Sequence, residues 1–160
     1  MRAHDHPFSD TAFVIQWHVL GMFAPSFFTG NLIRRFGVLA VMMTGALLSG
    51  ACVAINLAGT TVWHYAAALA LMGIGWNFLF IGGTTLLTES YRPNERAHAQ
   101  AASEFLILGT AALAVLFSGR MQVQLGWRAV NLSVIPMLAT ALLAIAWLAR
   151  ARRTAPASPS

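Results

Sequence analysis

The chain has 160 residues, of which 58% are hydrophobic and only 9% are charged. A soluble domain usually carries about 25% charged residues, so this chain has too few to cover a water-soluble globule of its size. All ten of its Lys+Arg residues are arginines, and they stand at the ends of apolar blocks. A nucleic-acid-binding protein would cluster them on one face, so that class is excluded.

Five apolar segments each approach the roughly 20 residues that a helix needs to cross a bilayer. They cover about residues 11–29, 38–57, 62–87, 101–118 and 129–148. Because backbone polar groups must be satisfied inside lipid, each is predicted to be a helix. The predicted fold is therefore all-α: a polytopic membrane domain over 11–149, between a polar segment at 1–10 and a basic, disordered tail at 150–160.

The arginines predict an orientation for these spans. Cytoplasmic loops carry an excess of basic residues. With the C-terminus in the cytoplasm, seven arginines lie inside (positions 34, 35, 92, 96, 150, 152 and 153) and three outside (positions 2, 120 and 128). The sequence thus predicts an integral membrane protein with its N-terminus outside and its C-terminus in the cytoplasm.

Residues 30–37, "GNLIRRFG", interrupt the apolar pattern between the first two spans. Gly30 and Gly37 are predicted to allow a tight turn and a close backbone approach. Arg34 and Arg35 can reach phosphates or the carbonyl ends of neighbouring helices. The alternative is an ordinary loop whose arginines only set the orientation.

Of the five spans, the third has the most polar character. Its glycines favour close helix packing, since contact in lipid depends on backbone approach. Trp76, Asn77 and Thr84 are candidates for a substrate pathway, because an amide inside a span must either pair or face a wet cavity. Pairing with another helix is the alternative for Asn77.

The first span contains Gln16, His18 and Pro25. A histidine inside a membrane helix is a candidate proton carrier because its pKa lies near neutrality. The alternative for His18 is an interhelical hydrogen bond or a place near the outer interface. Gln16 joins it as a pathway candidate, and Pro25 is predicted to bend the helix.

A cytoplasmic gate is predicted around residues 88–104, where both signs of charge occur. Glu89, Arg92 and Arg96 are expected to form salt bridges that brace the inward side. Glu104 is expected to pair with Arg96 or Arg92 at the interface, with a proton site as the alternative. The sequence shows no paired catalytic carboxylates, nucleophile elbow or metal-ligand cluster, so neither an enzyme, a cofactor nor a metal is predicted.

The motif "GNLIRRFG" resembles the loop signature of the major facilitator superfamily, G-x-L-x-D-R-x-G-R-R. Gly30, Leu32, Arg35 and Gly37 match it in register. Arg34 replaces the aspartate of the signature, and the trailing basic pair is absent. The segments "VIQWHVLGMFAPSFFTGNLIRRFG", "LMGIGWNFLFIGGTTLLTESYRPNERAHAQA" and "GWRAVNL" extend the resemblance over nearly the whole chain.

The resemblance implies part of a secondary transporter in the bacterial inner membrane. The family has twelve helices, and the loop position fits this chain to helices eight to twelve, so the seventh helix and the N-terminal half are expected to come from elsewhere. It further implies alternating access, a small-molecule substrate that the sequence does not name, and coupling to a proton. The alternatives are a membrane scaffold or assembly protein, or a truncated permease without function.

Overall fold

A computed structural model describes residues 8–154, and this range contains five α-helices and no strand. They are α1 (Phe8–Phe23), α2 (Ser26–Phe36), α3 (Val38–Ala58), α4 (Val62–Thr88) and α5 (Arg96–Thr154), with a 3-10 turn at Pro93–Glu95. Helices α3, α4 and α5 are long and apolar enough to cross a membrane, and α1 with α2 forms a bent fourth candidate. The predicted all-α polytopic fold is confirmed.

Helix α5 consists of two parts that meet at Gly126, whose φ of 80° and ψ of −179° are not helical. The N-terminal part starts beside the end of α4, to which the 3-10 turn joins it. At the other end of the bundle, Trp127 donates from Nε1 to the backbone oxygen of Asn56 at 3.3 Å. The C-terminal part then returns, and Arg152 contacts Glu89 at the end of α4. Each part therefore runs the length of the bundle.

The break between α1 and α2 lies at Pro25, where the sequence predicts a bend, and the two helices meet at 44°. Proline has no backbone N–H, and its ring clashes with the carbonyl one turn earlier. The chain restarts at once, because the Pro25 carbonyl accepts backbone N–H groups from Phe28 at 2.9 Å and Thr29 at 2.8 Å. The first predicted span is thus two helices joined at a proline.

The predicted loop at 30–37 is shorter in the structure than the motif suggests. Gly30 lies inside α2, exposed, and a Cβ added there would meet nothing within 4 Å, so the expected turn and close approach at Gly30 are wrong. The chain reverses at Gly37 alone, whose φ of 86° lies in the region that favours glycine. Its N–H caps α2 by donating to Ile33 O at 2.8 Å.

Two further segments differ from the predicted boundaries. Residues 119–125, expected to connect the fourth and fifth spans, continue the α5 helix up to the break at Gly126. The predicted tail from residue 150 is helical through Thr154, since Arg152 is tied to Glu89. The rest of the tail, 155–160, and residues 1–7 of the N-terminal segment lie outside the described residues.

Helix α4 is central, packed against α1 on one side and α3 on the other through pairs of glycines. A Cβ on Gly21 of α1 would lie 2.6 Å from the Ala70 oxygen of α4. A Cβ on Gly45 of α3 would lie 2.8 Å from the Gly75 oxygen. Backbones that approach this closely leave room only for hydrogen. The packing role predicted for the glycines of the third span is confirmed for Gly73 and Gly75 but not for Gly83, where a Cβ would meet nothing within 4 Å.

Replacing Gly73 by alanine is expected to lower the free energy of unfolding by about 1–3 kcal/mol, because the new methyl group overpacks the α1–α4 contact. A Cβ at Gly73 would contact the His18 oxygen and lie 2.9 Å from the Met22 nitrogen, both backbone atoms that cannot move aside. The matched control is Gly83→Ala, on the same helix, where a Cβ meets nothing within 4 Å. Thermal unfolding in mild detergent compares the two variants, and equal midpoints would contradict the packing.

Candidate functional site

A polar cluster lies where α4 crosses the break between α1 and α2. The side chain of Asn77 is 2% exposed, and its Nδ2 donates to Met22 O and to Ser26 Oγ, both at 2.7 Å. Thr29, fully buried on α2, places its hydroxyl 2.7 Å from Asn77 Oδ1 and 2.8 Å from Pro25 O. The nitrogen and the oxygen of the Asn77 side-chain amide are therefore both engaged by the broken span.

These contacts compensate for the proline break inside the membrane domain. The break leaves the Met22 carbonyl without the regular helical partner, and an unsatisfied carbonyl in lipid costs several kcal/mol. Asn77 supplies that donor from a neighbouring helix. The Thr29 hydroxyl has one hydrogen and two acceptors in reach, Asn77 Oδ1 and Pro25 O. Its hydrogen bond can therefore switch between Asn77 on α4 and the start of its own helix.

The two pathway candidates on α1 lie in different environments. His18 faces α4, where Nδ1 is 2.9 Å from the carbonyl oxygen of Leu69. A carbonyl only accepts, so Nδ1 carries the hydrogen and Nε2 is left as the acceptor of the neutral ring. Gln16 is exposed on the outer side of α1. The structure therefore does not bring Gln16 and His18 together with the Asn77 cluster.

Trp76 and Thr84 line a groove between α4 and the N-terminal part of α5, here called the α4–α5 groove. Its volume is about 550 Å³, within the usual range for small-molecule sites. One wall is the indole of Trp76 stacked on the ring of Phe80, with centroids 4.7 Å apart and planes 10° apart. The full lining is Trp76, Leu79, Phe80, Gly83, Thr84, Leu86, Leu87, Ser90, Ser103 and Ile107.

The groove combines a flat aromatic wall with three hydroxyl groups. Thr84 donates to Phe80 O at 2.9 Å, and Ser90 donates to Leu86 O at 2.9 Å. Their oxygens keep lone pairs that can accept from a bound molecule. Ser103, on α5, faces them across the groove. The arrangement suits a planar ring that carries hydrogen-bond donors on its edge.

The predicted gate residues form different ion pairs from those expected. Glu89 pairs with Arg152 of α5 at 2.6 Å, which ties the end of α4 to the end of α5. Within residues 8–154, neither Arg92 nor Arg96 forms an ion pair with a carboxylate. Arg92 instead donates its backbone N–H to the Glu95 carboxylate at 3.1 Å.

The expected pairing of Glu104 with Arg96 or Arg92 is wrong for the described chain. Glu104 is exposed on α5 and makes no ion pair in residues 8–154. Arg96 starts the same helix eight residues earlier, a rise of about 12 Å at 1.5 Å per residue. That separation is too long for a salt bridge along one helix.

The motif residues at the α2–α3 junction occupy the surface. Arg34 and Arg35 lie exposed in the last turn of α2, and Leu32 is half-buried one turn before Phe36. Gly37 provides the reversal. These residues lie on α2 and at the turn that follows it, and none of them lines the α4–α5 groove.

Sequence reasoning missed four residues that the structure places at these sites. Ser26 and Thr29 follow the proline at i+1 and i+4, a spacing that puts hydroxyls beside the freed carbonyls and could have indicated the cluster. Ser90 and Ser103 stand within or beside the polar stretch at 88–100, and nothing in their spacing shows that they meet.

The family model for the Major Facilitator Superfamily matches residues 4–160. The chain belongs to this superfamily. The resemblance of the "GNLIRRFG" loop and of the wider segments is thereby confirmed. The membrane-spanning helices agree with membership, and the chain is an integral membrane protein.

Three curated relatives are named as transporters. The riboflavin transporter RfnT of Brucella anthropi is 45% identical over 143 residues, which cover 89% of this chain and 36% of RfnT. Two uncharacterized MFS-type transporters of Bacillus subtilis, YddS and YdeG, are 33% and 34% identical over 121 residues, 74% of this chain and 28% of each relative. The chain thus spans about a third of the length of these relatives. No solved structure matches it significantly.

Replacing Asn77 by leucine is expected to lower the free energy of unfolding by about 1–3 kcal/mol, because the Met22 carbonyl loses its donor while buried. The control is Thr84→Val, which removes a hydroxyl that bonds only within its own helix. Unfolding in mild detergent, followed by tryptophan fluorescence, compares the two. Equal stabilities of N77L and T84V would contradict the bracing role of Asn77.

Proposed function

We propose that this chain is part of a secondary transporter that moves a small solute across the bacterial inner membrane by alternating access. The observation that carries the proposal is the 45% identity with the riboflavin transporter RfnT over 89% of the chain. The match to the Major Facilitator Superfamily along residues 4–160 supports it. The remaining two thirds of such a transporter would come from a further segment or another chain.

Riboflavin, or another flavin with the same ring, is the proposed substrate. A flavin has a flat, electron-poor ring system, and Trp76 and Phe80, whose rings stack on each other, both line the α4–α5 groove. Offset stacking on such rings contributes about 0.5–1.5 kcal/mol beyond area burial. The hydroxyls of Thr84, Ser90 and Ser103 are placed to accept from the ring N–H and the ribityl chain.

In the proposed cycle the break between α1 and α2 keeps its bend. Secondary transporters commonly place discontinuous helices around the substrate site, and one bundle rocks against another. Asn77 holds the break to α4, so α4 and the broken span would move as a unit against the rest of the transporter. A coupling proton would be taken by Nε2 of His18, since its Nδ1 is engaged with α4. The orientation proposed keeps the C-terminus in the cytoplasm.

The function is tested with a chimera in which this chain replaces the matching third of RfnT. Uptake of radiolabelled riboflavin is measured in cells that lack other flavin uptake, beside intact RfnT and RfnT without the matching third. We expect the chimera to restore uptake well above the truncated control. A chimera that reaches the membrane in normal amount and takes up no riboflavin would contradict the proposal.

Within that chimera, Trp76→Ala is expected to raise the KM for riboflavin about threefold to tenfold, because this factor corresponds to the free energy of the lost ring stacking. Trp147→Ala is the matched control, because Trp147 is 70% exposed on α5 and does not line the groove. Initial uptake rates at several riboflavin concentrations separate KM from maximal rate. An unchanged KM in W76A would place the substrate elsewhere.

A membrane assembly protein without transport activity is the second candidate. The observation in its favour is the N-terminal part of α5, where large side chains are exposed on all sides, including Phe105, Leu108, Leu116 and Phe117. A helix that is apolar all round needs lipid or other helices around it. An inactive chimera, together with a stable complex between this chain and the other two thirds of RfnT expressed separately, would favour this second function.

A further inference from the structure

A second groove lies between α2, α3 and α4, near the junction of α2 and α3. It is here called the α2–α3 groove and has a volume of about 350 Å³. Its walls are almost wholly apolar, with one hydroxyl among them. The lining residues are Leu32, Phe36, Ala40, Val41, Thr44 and Phe78.

Two consecutive arginines lie near the end of α2, the helix that provides Leu32 and Phe36 to this groove. Arg34 and Arg35 form the last turn of α2 and are exposed. The Arg35 guanidinium carbon lies 5.2 Å from the ring centroid of Phe36, within cation–π range, and Phe36 is itself a groove wall. The positive charge is thus held beside the apolar cleft.

No carboxylate in the described residues neutralises this pair. The ion pair found in residues 8–154 joins Arg152 to Glu89. The sequence from residue 11 to residue 88 contains no aspartate or glutamate at all, so α2, α3 and the loops beside them carry only positive charge. The pair therefore retains its full attraction for an anion at the end of the span.

We propose that the α2–α3 groove binds one anionic phospholipid, with the phosphate on Arg34 and Arg35 and an acyl chain along Phe36 and Phe78. The charge complementarity selects the headgroup, because each arginine near an anionic membrane surface contributes about 1 kcal/mol, roughly fivefold in affinity. The apolar lining favours a lipid over a free phosphate ion, because only the lipid has an acyl chain that can be buried in the groove. Binding of this lipid does not depend on the transport function.

The experiment reconstitutes the full chain in vesicles of phosphatidylcholine and phosphatidylglycerol mixed three to one. The chain is then extracted in mild detergent, and its co-purifying lipids are counted by mass spectrometry. We expect phosphatidylglycerol to be enriched over its share in the vesicles. In R34Q/R35Q the share of phosphatidylglycerol should fall back to its share in the vesicles, because the loss of two arginines lowers the affinity about 25-fold. Equal lipid composition in the wild type and in R34Q/R35Q would overturn the proposal.

The matched control is R120Q/R128Q, which removes the same charge from the other end of the bundle and should keep the enrichment. The groove itself is tested by Ala40→Trp, because Ala40 is exposed on the groove wall and the indole would fill the cleft while both arginines remain. We expect A40W to lose the bound lipid. If A40W retained phosphatidylglycerol, the lipid would be held only by the surface charge of the arginines. That result would overturn the proposal that its acyl chain binds in the α2–α3 groove. Unfolding midpoints of all variants check that each is folded.

Discussion

The hydrogen bonds of the Asn77 side chain hold α4 to the proline break in the first span. In lipid no water can satisfy the freed Met22 carbonyl, so the break is tolerated only because a donor arrives from α4. The bond to Ser26 extends the contact across the break, and the Thr29 hydroxyl extends it to the next turn. The bend of 44° is thereby fixed by a neighbouring helix as well as by the proline ring.

This bracing requires that α4 approach α1 very closely, and the glycines provide the approach. Gly21 and Gly73 bring the two backbones into contact, so that a side-chain amide as short as that of Asn77 reaches across. Gly45 and Gly75 do the same for α3. The core of the membrane domain is therefore formed where the backbones of α1 and α3 pack directly against the backbone of α4. The large apolar side chains lie mostly outside it and are left for lipid or further helices.

Much of the fold could be predicted from the sequence, because the lipid solvent restricts it to apolar helices of known length. The bend at Pro25 and the reversal at Gly37 follow from the backbone properties of those residues. The role of Gly30 could not be predicted, since a glycine within a helix looks the same in sequence as one in a turn. The partners of Asn77 and Glu89 lie 48 to 63 residues away along the chain, and such contacts appear only once the helices are packed. The α4–α5 groove likewise depends on that packing.

The central claim is that Asn77 and the broken span form one interacting unit, and a double-mutant cycle tests it most directly. The free energy of unfolding is measured for the wild type, Thr29→Val, Asn77→Leu and the double variant in the same detergent. Residues in direct contact show coupling energies of about 0.5–3 kcal/mol. We predict a coupling within that range, with the double variant losing less stability than the sum of the two single variants. Additive losses, within about 0.3 kcal/mol, would contradict the claim.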